Sequence, residues 1–264
     1  MSRRTAVAAL RARIARKERL GSADWPVARL GDGGIDSALP GGGLATGALY
    51  ECLPAEAGDF PATLGFAMGL LSRIVRTRPG HILWALPAWQ GRDRGMLYPQ
   101  GLASFGIDPA LVIHVGTPKT QNVLWALDEA LETRSIAAAV GLLPAGERAY
   151  DFTASRRLAM HAARTGATAL VLAAQPHVSM ATACEMRWSV APAPSTPVPR
   201  PGQAIAGLGA PRWYLSLLKS RRGGAGQWQV EWDHETHAFR LAAPLAGRAP
   251  QRAEGDGAGQ WIAA

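Results

Sequence analysis

One stretch of the chain combines the residue types that commonly hold a nucleotide: a strand, a turn-rich loop and a helix. Residues 48–52 (ALYEC) form a short apolar run with strand character, and residues 53–60 (LPAEAGDF) contain turn formers. Pro61 suits the first position of a helix after Asp59 as its cap. This order of elements can hold phosphate groups on the backbone N–H groups of a helix N-terminus.

The charged groups of a working phosphate loop are missing from this stretch. Such a loop has the pattern G-x-x-x-x-G-K-[ST], in which the lysine contacts the phosphates and the hydroxyl binds Mg²⁺. Here the lysine position holds Asp59 or Phe60, depending on a one-residue gap, and the hydroxyl position holds Phe60 or Pro61. Aspartate repels phosphate, and proline has no N–H to donate. We therefore predict a nucleotide-site scaffold that binds no nucleotide cofactor and has no catalytic residues.

Two other patterns could carry chemistry. Asp233, His234, Glu235 and His237 are close enough in sequence to hold a metal ion, but at a strand end near the surface we interpret them as solvated polar residues. The segment GLASFG is not a G-x-S-x-G nucleophile elbow, because one extra residue separates its first glycine from Ser104. We predict no metal site and no hydrolase site.

The basic residues are the remaining candidates for function. The formal net charge is +8, and 25 of the 28 basic residues are arginine. Clustered cations provide the sequence-independent part of DNA binding, but a GC-rich genome produces the same excess of arginine, so both explanations stay open. The candidate contacts with nucleic acid or a protein partner are Lys219, Arg221 and Arg222 in a hairpin tip and Arg11, Arg16 and Lys17 near the N-terminus.

Composition indicates a globular protein without a membrane span. The chain has 264 residues, 48% of them hydrophobic, which is enough for one large core or two small ones. Its longest apolar runs, such as residues 167–174, are too short to cross a bilayer, and arginines recur where a secretory signal would be apolar. Cys52 and Cys184 have neither metal-site nor disulfide spacing. We predict a cytoplasmic protein.

The elements that would position these residues alternate between strand and helix. After the first strand and helix, we predict strands at residues 81–86, 111–115, 136–143, 169–174 and 186–190, and helices at residues 96–105, 120–133 and 153–165. Residues 213–218 and 228–232 flank SRRGGAGQ as a hairpin, residues 236–241 form a last strand, and Ile35 and Leu39 anchor a short helix. This predicts an α/β fold with a mainly parallel central sheet, flanked by helices, and a C-terminal antiparallel hairpin.

Three segments are predicted along the chain. Residues 1–22 form a basic amphipathic helix, which we interpret as packed with a solvated face, with docking on a partner or DNA second and a mitochondrial presequence third. Residues 23–245 form one domain that contains a flexible Pro- and Gly-rich connection at residues 191–211. Residues 246–264 form a disordered tail, apart from a docking contact that Trp261 and Ile262 could make.

Several stretches resemble the core of the RecA recombinase, and they occur in the same order along the chain. IDSALPGGGLATGALYE looks like the approach to the recombinase's phosphate loop, HILWALPAWQ takes the place of the strand that presents its catalytic glutamate, and IAAAVGLL that of its Walker B strand. RRLAMHAARTGATALVLAAQ and RWYLSLLKSRRGGAGQWQVEW look like its final helix, strand and hairpin. The resemblance covers roughly residues 28 to 241 and implies a RecA-like core.

The positions that carry hydrolytic residues in RecA-like ATPases are apolar here. Leu86 or Pro87 stands near the position of the catalytic glutamate, and residues 141–143 (GLL) stand at that of the Walker B aspartate. The segments that correspond to the recombinase's DNA-binding loops, residues 144–152 and 175–184, look shortened. The resemblance therefore implies an inherited architecture with a degenerate phosphate loop and lost ATP hydrolysis, and it weakens the case for a RecA-like DNA filament.

Within the RecA-like group, the chain resembles the ImuA family. The motifs are an ID-x-x-LPGGGL-x-x-G lead, LYPQGLASFGIDPALVIHV, LWALDEAL and a closing PRW…LLKSR…W…EW. The resemblance implies a non-catalytic accessory protein of error-prone translesion DNA synthesis in the DNA-damage (SOS) response. Its implied partners are an ImuB-like Y-family polymerase homologue, RecA and, indirectly, a second C-family DNA polymerase and the sliding clamp.

Two other functions stay open at this point. The middle section is also similar to SulA cell-division inhibitors, which implies binding of the tubulin-like division protein through residues 83–143. A regulator that binds ATP through an atypical loop is the third hypothesis.

Overall fold

The strands of the protein form one large sheet and one small one. The structure is a computed structural model that describes residues 25–31, 33–94, 97–144, 148–176, 181–199, 207–223 and 226–242. The predicted N-terminal helix and C-terminal tail lie outside the described residues. The strands are β1 Val27–Ala28, β2 Leu44–Ala45, β3 Leu49–Pro54, β4 His81–Pro87, β5 Val112–Thr117, β6 Ile136–Leu143, β7 Thr168–Ala173, β8 Met186–Ala193, β9 Arg212–Ser220, β10 Gln227–Asp233 and β11 Ala238–Leu241.

The large sheet has the predicted mixed topology. Its nine strands lie in the order β11-β10-β9-β8-β3-β7-β6-β4-β5. The six strands from β8 to β5 in this order are parallel to one another, and β9, β10 and β11 extend the sheet through antiparallel pairs. β1 and β2 form a separate antiparallel pair. The predicted α/β fold, with a mainly parallel central sheet and a C-terminal antiparallel hairpin, is confirmed.

Helices cover both faces of the parallel strands, which explains why the strands at the centre of the sheet are mostly apolar. All eight residues of β6 and all six of β3 are buried. The helices are α1 Gly33–Ala38, α2 Phe60–Thr77, α3 Ala88–Arg94, α4 Pro99–Ser104, α5 Thr120–Glu132 and α6 Phe152–Thr165. Helix α2 packs with Tyr50 and Cys52 on one face, whereas α5 and α6 pack with Leu49 and Ala139 on the other.

Helix α6 shows how local sequence sets the ends of these elements. It begins after Asp151, whose carboxylate accepts a hydrogen bond from the Ala154 N–H at 2.7 Å. It ends at Gly166, which adopts a left-handed φ of 80° that a glycine tolerates at this position. The short helix predicted around Ile35 and Leu39 is also present as α1, and both side chains are buried.

The connection from β4 to β5 joins distant parts of the sheet. Leu102 and Ile107 share a hydrophobic core with Ile82 of β4, while the Phe105 ring lies 5.2 Å from the Trp232 ring of β10. This connection therefore closes the apolar face around α2.

The structure corrects two predicted boundaries. The helix predicted at residues 96–105 is shorter, because Pro99 begins α4, and a separate helix, α3, precedes it. Strand β8 continues to Ala193, three residues into the predicted flexible connection, where it pairs with β9. Pro192 is tolerated in this strand because β3 ends opposite Val190, so no β3 residue needs its missing N–H.

Among the described residues, none of the helices has the length and apolar content that a bilayer crossing requires.

Candidate functional site

The loop between β3 and α2 is a tight, exposed turn in which three backbone N–H groups are already hydrogen-bonded. Ala55 donates its N–H to the Val190 carbonyl at 2.8 Å, and Asp59 donates its N–H to the Glu56 carbonyl at 3.0 Å. Glu56 in turn donates its N–H to the Asp59 carboxylate at 3.1 Å. These N–H groups are therefore unavailable to a phosphate without breaking the turn, in contrast to a phosphate loop.

The charge of this turn is negative. Glu56 is exposed and Asp59 is partly exposed, and both precede the first turn of α2. Asp59 stands at the cap position of α2, as predicted, but its side chain makes no capping hydrogen bond to the helix. The carboxylate accepts a hydrogen bond from the Glu56 N–H instead, which corrects the prediction that Asp59 caps the helix. Phe60, where a lysine or hydroxyl would stand, is buried at 5% exposure. A triphosphate here would meet two carboxylates and an aromatic ring.

The two positions implied for hydrolytic carboxylates lie in packed, apolar surroundings. Leu86 is buried at the end of β4 and is followed by Pro87. In β6, a Cβ atom added at Gly141 would lie 2.6 Å from Cδ1 of Leu127, so the space that an aspartate would need is filled. A carboxylate at Gly141 would require the packed Leu127 side chain of α5 to move.

A buried ionic cluster, which the sequence analysis missed, lies on the β3 strand itself. Glu51 is 2% exposed and accepts a 2.6 Å hydrogen bond from Nε of Arg187 in β8. Its other carboxylate oxygen accepts from the Tyr150 hydroxyl at 2.5 Å. Arg187 also donates to the Thr182 hydroxyl at 2.9 Å, and the Lys219 ammonium donates to the Thr182 carbonyl. We call these five residues the Glu51 cluster.

The Glu51 cluster holds two connections between elements against the core by hydrogen bonds. Tyr150 belongs to the connection between β6 and α6, and Thr182 belongs to the crossover between β7 and β8. Burial raises the pKa of the Tyr150 hydroxyl, and the charge and hydrogen bond of Glu51 raise it further, so Tyr150 is the neutral donor. Burial lowers the pKa of Arg187, but Glu51 outweighs it and the net shift is upward. A glutamate inside the apolar run ALYEC was the sequence signal that such a partner exists.

The predicted hairpin tip has partners in this structure. β9 and β10 form the predicted hairpin, and Lys219 and Arg222 lie at its tip, where Arg222 makes a 2.9 Å ion pair with Glu185. The Arg221 N–H donates to the Glu185 carbonyl at 2.9 Å. These contacts bring the three basic residues of the tip together beside the start of β8. Arg11, Arg16 and Lys17 lie outside the described residues.

The Asp233 turn is held by hydrogen bonds within the turn and with residues of α2 and α4. Asp233 accepts from the Glu235 N–H at 2.8 Å, and His234 Nδ1 lies 2.9 Å from the Ser104 carbonyl. His237 Nδ1 accepts from Arg76 at 2.8 Å, and burial followed by the nearby Arg76 charge lowers its pKa. Among the described residues, no group of three or more His, Cys, Asp or Glu residues is arranged to hold a metal ion.

The two edges of the large sheet differ. At one edge, β11 is covered by the chain before α1, where the Phe239 N–H donates to the Leu30 carbonyl at 2.9 Å. At the other edge, β5 pairs with β4 and with no other strand that the structure describes. Ile113 on β5 is 44% exposed, and Leu111 just before it is 37% exposed. An open, apolar edge strand is a common docking site for an extended peptide.

Comparison with known proteins identifies relatives that span most of the chain. The chain is 34% identical over 237 residues to Protein ImuA of Caulobacter vibrioides strain NA1000 / CB15N, and the match covers 84% of this chain and 91% of the relative. The same values hold for Protein ImuA of the Caulobacter vibrioides strain ATCC 19089 / CIP 103742 / CB 15. No protein-family model matches the chain.

Proposed function

Because the chain belongs to the ImuA family, we propose that it is a non-catalytic accessory protein of error-prone translesion DNA synthesis in the SOS response. In this proposal it acts in the cytoplasm with an ImuB-like protein and contacts RecA, and through them it serves a second C-family DNA polymerase on the sliding clamp. It acts through its surfaces and binds no nucleotide cofactor.

The β3–α2 turn carries the non-catalytic part of the proposal. The N–H groups of Ala55, Glu56 and Asp59 in this turn already have acceptors, and the carboxylates of Glu56 and Asp59 oppose a triphosphate. The positions implied for catalytic carboxylates hold Leu86 or Pro87 and residues 141–143 (GLL), and a side chain at Gly141 would meet Leu127. These features support a RecA-like scaffold that has no chemistry of its own.

The open β5 edge supports the partner-binding part. A RecA-like protein that keeps the fold but not the hydrolytic residues would be selected for its docking surfaces, and β5 offers backbone groups flanked by exposed Ile113 and Leu111. We propose that this edge is among the surfaces that contact RecA, by analogy with contacts between RecA protomers. The terminal segments, which lie outside the described residues, would bind the ImuB-like protein.

Co-purification from damage-induced cells tests this proposal. Tagged protein should capture the ImuB-like protein and RecA. The variant Ile113→Lys places a charge on the open edge and should lose RecA while keeping the ImuB-like protein. Met160→Lys is the matched control, because Met160 is 61% exposed on α6, away from the edge. Capture of neither partner by the wild-type protein would refute the proposal, and equal loss in both variants would refute the assignment of the edge.

The β5 edge also supports a second candidate function, that of a SulA-like inhibitor of cell division. β5 lies within residues 83–143, the section that is similar to SulA cell-division inhibitors. If the protein captures the tubulin-like division protein in place of polymerase partners, and Ile113→Lys abolishes that capture, the SulA-like function replaces the proposed one.

A further inference from the structure

Strand β5 is the open edge of the large sheet, and it is regular along its length. Its residues, Val112–Thr117, pair with β4 in parallel without a bulge, and no strand that the structure describes pairs with its other side. Natural edge strands usually prevent further pairing with a lysine, a proline or a bulge, and β5 (VIHVGT) includes none of these. The strand therefore keeps the backbone geometry that a further strand needs.

The side chains of β5 alternate between the two faces of the sheet. Val115 packs against the cluster that contains Leu124 of α5, and Val112 packs against the cluster that contains Leu102 on the opposite face. Ile113 shares the face of Val115, because side chains repeat every second residue along a strand. Ile113 is 44% exposed, so α5 does not cover this face of the edge completely. The edge thus offers apolar side chains as well as backbone groups.

The apolar side chains of β5 are complementary to those of a second β5. A two-fold axis through the sheet makes two copies of β5 antiparallel and keeps their α5 faces on the same side, so one residue lies opposite its own copy. With Ile113 at the axis, Leu111, which directly precedes β5, lies opposite Val115 of the second copy. The three cross-strand pairs on the α5 face are then apolar, which favours pairing. On the other face Val112 lies opposite His114 of the second copy.

The charges that flank β5 favour a second copy as its occupant. Asp108 and Lys119 are exposed and stand on either side of the strand, and residues 109–118 (PALVIHVGTP) between them contain no Asp, Glu, Lys or Arg. Antiparallel self-pairing brings the Asp108 end of each copy to the Lys119 end of the other, so opposite charges meet at both ends. The strand itself has no charge that would select an acidic or a basic partner.

We propose that β5 pairs with β5 of a second copy of this chain, antiparallel and with Ile113 at the two-fold axis. Because one short strand from each copy buries less surface than the about 1,200 Å² of stable complexes, association should be reversible, with a Kd on the order of 10 µM. The strand has one free side, so self-pairing would exclude RecA from this edge. The pairing itself does not depend on the RecA contact of the proposed function.

Disulfide cross-linking of the purified full chain tests the register. Directly opposite residues of antiparallel strands have Cα atoms about 4.5–5.5 Å apart, which suits a disulfide, whereas diagonal neighbours lie about 7–8 Å apart. Ile113→Cys should therefore form a covalent dimer under mild oxidation. His114→Cys is the matched control, because His114 is exposed on the same strand and would lie diagonal to its own copy. The native thiols of Cys52 and Cys184 are buried.

Sedimentation velocity measures the association without engineered thiols. The wild-type chain should convert from monomer to dimer between about 1 and 100 µM. Ile113→Lys places two ammonium groups opposite each other and should weaken dimerisation by about 10-fold or more. Met160→Lys adds the same charge to an exposed position of α6 and should dimerise like the wild type.

Three results would overturn the proposal. The first is a wild-type chain that remains monomeric at about 100 µM, and the second is a dimer that Ile113→Lys leaves intact. The third is cross-linking through His114→Cys that is as fast as through Ile113→Cys. These measurements use the pure chain, so a failure to dimerise leaves capture of RecA and the ImuB-like protein as a separate result, and a failure of that capture leaves the dimer.

Discussion

Replacing Glu51 with glutamine should destabilise the protein strongly, although the two side chains have nearly the same shape. Glu51 is the acceptor for both Arg187 and Tyr150, and it is 2% exposed while Arg187 is 7% exposed. The variant leaves the guanidinium buried without its counter-charge. Breaking a buried ion pair from one side costs about 3–5 kcal/mol. The Tyr150 hydroxyl exchanges a charged acceptor for a neutral one, which adds about 1 kcal/mol.

Urea denaturation followed by tryptophan fluorescence measures this loss. With an unfolding slope of about 3 kcal/mol per molar urea, a loss of about 4–6 kcal/mol lowers the midpoint by about 1.3–2 M. Tyr150→Phe, which removes one hydrogen bond to a charged group, should cost about 1.5–3 kcal/mol. The double variant Glu51→Met/Arg187→Met removes both charges and should recover most of the loss, because the penalty comes from the unpaired ion.

The comparison of single and double variants tests whether Glu51 and Arg187 form a buried, coupled ion pair. If Glu51→Gln lies within about 1 kcal/mol of the wild type, the ion pair is not effectively buried. If the double Met variant is as unstable as the sum of Glu51→Met and Arg187→Met, the two side chains are not coupled. Either result would refute the claim that the Glu51 cluster holds the two connections against the core.

Three further predictions concern single sites. Gly141→Asp, which would install the acidic residue of an ATPase, should lower stability by about 1–3 kcal/mol because its Cβ meets Leu127, and a melting curve checks this. The hydrogen bond from Arg164 lowers the pKa of Glu132. The ionised carboxylate therefore stabilises the fold above its unfolded pKa, and this stabilisation is lost as the pH falls through the lower folded pKa. Arg164→Gln should raise the Glu132 pKa in a carbon-detected NMR titration and reduce the stability that the protein loses in acid. Burial first, and the neighbouring carboxylate second, raise the pKa of the Cys184 thiol to about 11, so iodoacetamide at about pH 8 should modify it after unfolding and not before, as mass spectrometry can show.

The order of strands and helices was predictable because the buried strands at the centre of this sheet are contiguous apolar runs in the sequence. IAAAVGLL is buried at every position in β6, and the Asp151 to Gly166 segment carries both a cap and a left-handed stop for α6. The C-terminal hairpin followed from glycines between two tryptophan-containing runs. Each of these features depends on residues that are close together in the sequence, so one sequence is enough to predict it.

Long-range pairing was not predictable in the same way. The contact between Glu51 and Arg187 joins residues 136 positions apart, and the register that places them side by side depends on the crossover between β7 and β8. The extension of β8 through Pro192 depends on where β3 ends. The partners of the hairpin tip depend on Glu185, which lies next to it only after β8 and β9 have paired. Each of these contacts forms only after distant strands have paired in the sheet.

Equilibrium unfolding in the presence of ATP and Mg²⁺ tests whether the β3–α2 turn excludes a nucleotide. A ligand at about 100 times its Kd adds about 2.7 kcal/mol to the free energy of unfolding when it binds the folded state alone. Because the β3–α2 turn opposes a triphosphate with Glu56 and Asp59, we predict that millimolar MgATP leaves the unfolding free energy unchanged. A stabilisation that grows with MgATP concentration and disappears in a variant of this turn would show that the turn holds a nucleotide.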